Sequence, residues 1–135
     1  MQVNVEITSK QIFKDHEESE SYKCLGKVIY HNNGTVLEYT EKYEEQELKF
    51  KMIILEEKII IKRNGQDMIF DLKNRSKSKL VTPYGEINLE VTTKKVQISK
   101  QDTKIKQINI EYEIELENGE RYDNIVEINI YTLLA

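Results

Sequence analysis

The sequence predicts an all-β protein: a single antiparallel up-and-down meander that closes into a β-barrel of about 8–10 strands. Three observations predict it. Apolar and polar residues alternate with a period of two along nearly the whole chain, which is the spacing of a strand with one buried and one wet face. Turn-forming pairs, Asn33-Gly34, Asn64-Gly65 and Asn118-Gly119, interrupt that alternation. No segment carries a continuous apolar stripe at helical spacing. The best helix candidate, residues 39–50, is rich in Glu and Lys but lacks the stripe.

Strands are expected over residues 2–13, 20–32, 35–42, 47–55, 58–63, 66–73, 78–83, 86–99, 104–117 and 120–133. The first opens on Val3, Val5 and Ile7. The second places Tyr22, Cys24, Val28 and Tyr30 on one face. After the Asn33-Gly34 turn comes the third, and the fourth alternates Leu48, Phe50, Met52 and Ile54 with Lys49 and Lys51. Ile59, Ile61 and Arg63 mark the fifth, and Asn64-Gly65 turns the chain into the sixth. The seventh ends at Pro83, the only proline. The eighth alternates Ile87, Leu89 and Val91 with Glu86, Asn88 and Glu90. The ninth gives the clearest pattern, Ile108, Ile110, Tyr112, Ile114 and Leu116 against Asn109, Glu111, Glu113 and Glu115. The tenth sets Val126, Ile128 and Ile130 against Glu127 and Asn129. Successive side chains of a strand point to opposite faces, so each pattern makes one apolar face and one polar face. Asn-Gly pairs favour type I′ hairpins, whose two central residues both need positive φ. Polar breaks near Asp15–Glu18, Glu44–Gln46, Glu56–Lys58, Asn74–Lys77 and Lys100–Thr103 supply the other turns.

Closure follows from what is missing. Only one face is apolar, and no helix is available to cover it, so the sheet must cover itself as a barrel or a sandwich. Sequential hairpins favour the barrel, because many sandwiches need longer crossings, and closure removes unpaired edges. A chain of 135 residues with no Ser/Gly-rich linker reads as one domain, 1–135. With 39% hydrophobic and 33% charged residues it suits a half-wet sheet.

Charge and cysteine content narrow the function classes. The net charge of −4 argues against a general phosphate-binding surface, so no nucleic acid is expected as a partner. Lys73, Arg75, Lys77 and Lys79 form a local basic run that reads as a solvated connection. No apolar run is long enough for a membrane helix, and no signal-like start precedes the first strand, so a cytoplasmic protein without a membrane partner is expected. Cys24, the single cysteine, cannot form an intrachain disulfide and reads as a structural thiol. His16 and His31 lack ligand-spaced partners. The row Glu111, Glu113, Glu115 and Glu117 reads as a wet face that meets lysines, for instance Lys94 and Lys95, across strands. No metal and no cofactor is expected. No nucleophile elbow, phosphate loop or HExxH motif is present, so no enzyme class is indicated.

The block Thr82-Pro83-Tyr84-Gly85-Glu86-Ile87-Asn88-Leu89-Glu90-Val91-Thr92-Thr93 resembles the signature of the YwiB-like family. Leu37-Glu38-Tyr39, Ile61-Lys62-Arg63-Asn64-Gly65 and Ile110-Glu111-Tyr112-Glu113-Ile114 agree with the family's pattern, and the resemblance covers nearly the whole chain. It implies a small bacterial protein of unknown function with a calycin-like, lipocalin-type barrel. It brings no catalytic residues.

The remaining chemistry is that of a pocket. Tyr22, Tyr39 and Tyr112 can place hydroxyls inside the barrel, where a buried tyrosine needs a hydrogen-bond partner. Such partners are core groups, trapped water or a ligand. Arg63 continues the alternation of Ile59 and Ile61. It either points inward to meet a ligand carboxylate or stands at the strand end with its charge in water. Thr82, Pro83, Tyr84 and Gly85 form a structural turn, and that turn either aims Tyr84 at a barrel mouth or is simply a corner. The favoured expectation is a barrel that binds a small apolar or amphipathic ligand, as a monomer or homodimer. The alternative is a protein–protein interaction module using exposed aromatics such as Tyr43 and Tyr131.

Overall fold

The computed structural model describes residues 1–43, 45–63 and 66–132. Ten strands follow one another: β1 (Gln2–Ile12), β2 (Glu17–His31), β3 (Gly34–Tyr43), β4 (Gln46–Ile54), β5 (Lys58–Arg63), β6 (Gln66–Asp71), β7 (Ser76–Thr82), β8 (Gly85–Gln101), β9 (Lys104–Leu116) and β10 (Arg121–Thr132). The expected ten-strand antiparallel meander is therefore the fold. The residues of the helix candidate 39–50 lie mostly in β3 and β4, two strands paired from Thr35↔Ile54 to Tyr43↔Gln46.

The sheet order is β6-β5-β4-β3-β2-β1-β10-β9-β8-β7. The first and last strands are fully laddered, from Val3↔Thr132 to Ile12↔Asp123. The break in the ladder lies mid-chain, between β6 and β7. There, serine side chains reach across: Ser76 Oγ donates to the Ile69 carbonyl at 2.6 Å and Ser78 Oγ to the Asp67 carbonyl at 2.9 Å. These bonds draw the two edges together into a nearly closed barrel.

The turns depart from the expected chemistry. Asp102 (φ 53°) and Thr103 (φ 65°), not an Asn-Gly pair, are the two non-glycine residues with positive φ among those described. They join Gln101 to Lys104 in the paired two-residue geometry of a type I′ turn. The first Asn-Gly pair is offset, because His31 pairs with Gly34 and the turn falls on Asn32 and Asn33. At the third, Gly119 N–H donates to the Leu116 carbonyl (3.0 Å) and Gly119 takes φ 88°. That is a three-residue loop closed by a left-handed glycine. Asn64-Gly65 lies outside the described residues.

Inward parity is maintained from strand to strand, so the apolar faces converge. Phe70, Leu37, Met52, Ile59, Ile108, Ile110, Ile128, Val5 and Val91 are fully buried. Turns alternate between the two ends of the barrel. Val3, Val28, Ile54, Ile105 and Ile130 pack in the core toward the β2–β3 end, where a cleft of about 770 Å³ lies among the β2–β3, β4–β5 and β8–β9 turns. A second cavity lies at the end bearing the β1–β2, β3–β4 and β7–β8 turns.

Candidate functional site

A cavity of about 530 Å³ occupies the barrel at the β1–β2 end. Met52 and Ile128, both fully buried, form part of its floor. Ile7, Leu48, Ile61, Met68, Leu89 and Val126 give it aliphatic and thioether walls. Tyr22, Tyr39, Arg63 and Tyr112, four side chains singled out from the sequence, line this one space.

Register explains their convergence. Ile7 pairs with Tyr22 across β1–β2. Gly26, Tyr39, Phe50 and Arg63 form one cross-strand row over β2–β5. Within that row Tyr39 and Phe50 stack with ring centroids 5.0 Å apart and planes 3° from parallel. Gly26 is required by close approach, because a Cβ there would come within 2.8 Å of Val5 Cγ2 and 3.0 Å of the Glu38 carbonyl oxygen. On the opposite wall Tyr112 leans on Phe70, centroids 4.6 Å apart.

Burial sets the electrostatics. It pushes the hydroxyls of Tyr22, Tyr39 and Tyr112 well above the usual phenol range. They are therefore neutral donors at any physiological pH. The Glu41 carboxylate adds to the effect on Tyr22 through its charge. Burial also raises the Cys24 thiol, followed by the charge of Glu41, so this half-buried cysteine is a poor nucleophile.

Arg63 is exposed at the rim. Its guanidinium carbon lies 5.4 Å from the centroid of the Phe50 ring. Arg63 therefore stands at the end of β5 with its guanidinium over an aromatic face.

Tyr84 stands apart from the other candidates. Thr82 pairs with Gly85, so Pro83 and Tyr84 are the two residues of the β7–β8 turn. The ring projects beyond the ladder, 99% exposed, and takes no part in lining the cavity. The Thr82-Pro83-Tyr84-Gly85 block is a hairpin corner, and the Thr82 side chain lies outside the described residues.

Sequence reasoning missed Glu41, which continues the inward parity of Leu37 and Tyr39, and Glu20, which pairs with Ser9 at the cavity's edge. The parity was readable; the charge at those positions disguised it. It also missed Thr93 and Asn124, which sit opposite Tyr112 on the two neighbouring strands. Thr93 Oγ1 and Asn124 Nδ2 are buried without a hydrogen-bond partner among the described residues.

Outside the cavity, charges behave as a solvated exterior. Lys94 meets Asp123 at 2.9 Å and Glu113 at 3.8 Å, and Arg121 meets Glu115 at 3.3 Å, which relieves the acidic row. Three of the four residues of the basic run are paired too, Lys73 with Glu57, Arg75 with Glu90 and Lys79 with Glu86. His16 is raised chiefly by its hydrogen bond to Asp15 and stacks on Phe13 in the β1–β2 turn. Among the described residues no group of His, Cys, Asp and Glu is placed to hold a metal, and no helix is long and apolar enough to cross a membrane.

Comparison with known proteins bears on the fold. The domain of unknown function DUF1934 matches residues 5–128. No curated protein matches the chain. The crystal structure of the ywiB protein from Bacillus subtilis superposes with a TM-score of 0.69 at 17% identity, covering 97% of this chain and 94% of that one. At that identity the likeness is one of architecture.

Proposed function

The chain belongs to the DUF1934 family, and from that premise, which supplies a fold but no activity, we propose that the barrel is a binding module for a small apolar or amphipathic molecule. The observation that carries the reading is the cavity of about 530 Å³ with apolar walls and tyrosine hydroxyls. Small-molecule sites typically enclose about 300–1,000 Å³ and combine apolar lining with a few convergent polar groups. The buried Met52 and Ile128 give such a ligand a floor, and the rim residues Glu20 and Arg63 give it a polar entrance. A cytoplasmic location belongs to the same proposal, supported by a lone Cys24 that calls for no oxidising compartment.

A titration with N-phenyl-1-naphthylamine, a dye that brightens in apolar surroundings, tests the reading. We expect saturable one-to-one binding. Ser9 lines the cavity, so Ser9→Leu should narrow it and weaken the dye by about tenfold or more. A dye that does not bind, or binds the narrowed variant equally well, would overturn the proposal.

A second reading, a protein-binding exterior, is favoured by one observation. Leu25 and Tyr131 are 68% and 52% exposed and flank Asn4 in a single cross-strand row on the outer face. Exposed apolar pairs of this kind fit the rim of a protein contact. The Tyr43 side chain, the other aromatic expected there, lies outside the described residues. Light scattering over a wide concentration range tests for self-association through this row, and a strict monomer would remove that form of it.

A further inference from the structure

We propose that the polar end of the cavity's ligand is cationic, an ammonium group received between the Glu41 carboxylate and the faces of Tyr22 and Tyr39. This rests on the binding reading above and fixes the sign of the ligand. The sequence suggested the opposite sign, because Arg63 was positioned to meet a carboxylate.

Glu41 lies on the inward face of β3, half-buried, opposite Leu48 and two residues beyond Tyr39. None of the ion pairs among the described residues includes it. A carboxylate drawn into a partly apolar space loses hydration, and a cation partner offsets that cost. The two cations that line the cavity are engaged at its rim: Arg63 is exposed and lies over the far member of the Tyr39–Phe50 stack, and Lys79 meets Glu86 at 3.6 Å. Glu41 is the half-buried charge among neutral tyrosines, while the exposed Glu20, Asp67, Arg63 and Lys79 line the cavity's edge. The field of Glu41 reaches Tyr22, Tyr39 and Cys24, all of which it makes harder to ionise. The same field repels an incoming anion.

The rings add to the selection. An ammonium over a tyrosine face is attracted by the ring's negative quadrupole, most strongly where water is thin. Glu20, exposed at the edge of the cavity, contributes a second carboxylate on the approach. Carboxylate, aromatic faces and an aliphatic floor together match a primary or quaternary amine with a short hydrocarbon tail.

Competition against bound N-phenyl-1-naphthylamine reads this out. The competitors are octylammonium, octanol and octanoate, which share a tail and differ in head charge. We expect octylammonium to displace the dye at least about tenfold more tightly than octanoate, with octanol between them. In Glu41→Gln, a near-isosteric change, the ammonium-to-carboxylate ratio should fall to about one. In Arg63→Gln it should not fall, because a rim attraction for octanoate is lost. Octanoate competing as well as octylammonium in the wild-type protein overturns the inference without any variant, and so does a ratio that survives Glu41→Gln. Either result, with the dye still bound, leaves the binding reading standing. Failure of the dye itself to bind sinks both.

Discussion

The interior tyrosines show how burial, rather than residue type, decides chemistry. Tyr22, Tyr39, Tyr112 and Tyr122 all have hydroxyls raised above the ordinary phenol value, with burial the leading cause in each. In the unfolded chain the same groups ionise near about pH 10. The folded state therefore holds protons that the unfolded state has released once the pH passes that value, and stability falls with rising pH. Below about pH 10 both states keep these protons and the contribution is complete. We expect the urea midpoint to fall steeply above about pH 10, with the phenolate absorbance of these four residues growing only as the fold is lost. A midpoint flat across that range would contradict their burial. The buried Thr93 Oγ1 and Asn124 Nδ2 beside Tyr112 are the counter-case, polar atoms brought into the core with no partner among the described residues.

Individual strands were largely legible, and their turns were not. The alternation of Ile108, Ile110, Tyr112, Ile114 and Leu116 fixes one face of β9 without reference to anything else. β8 carries a further signal in its parity. Its inward residues run Leu89, Val91, Thr93 and then Val96, Ile98, and the one-step change coincides with the register shift between Thr93 and Lys95. The added residue, Lys94, is the one that reaches Glu113 and Asp123. Turn type depends on strand register, which Asn-Gly pairs alone do not set. A β-branched residue at positive φ is strained, so Thr103 at φ 65° should be improvable. Replacing Asp102 and Thr103 by Asn and Gly should stabilise the protein by about 1–2 kcal/mol in urea unfolding. A loss of stability would mean that the Thr103 side chain contributes more than its backbone costs.

At the scale of the whole molecule, closure is the decisive event. The termini are joined by the complete β1–β10 ladder, while β6 and β7, consecutive in sequence, meet through two serine hydroxyls instead of backbone pairs. That seam is the weakest line in the barrel, and it runs beside Met68 and Leu80, both at the cavity. Ser76→Ala with Ser78→Ala should cost about 0.5–1.5 kcal/mol per bond lost. Hydrogen exchange should quicken in β6 and β7 before it does in β1 and β10. Uniform exchange across all ten strands would show that the seam does not open separately.

The sequence by itself determined the fold class, the ten strands, the apolar face of the most regular of them and the family. Those follow from a period of two, repeated with β-branched and aromatic residues, and from a block whose order is recognisable on its own. Tyr22, Tyr39, Arg63 and Tyr112 were likewise found from parity. Only the tertiary structure decided which inward residues share a space. It put Tyr84 on a hairpin tip, Arg63 on the Phe50 ring and Glu41 beside Tyr22, and it gathered the tyrosines around one cavity at the β1–β2 end of the barrel. The physical reason is that parity assigns a side chain to a face, whereas a cavity depends on the register of strands far apart in the chain and on the volumes that meet across the barrel.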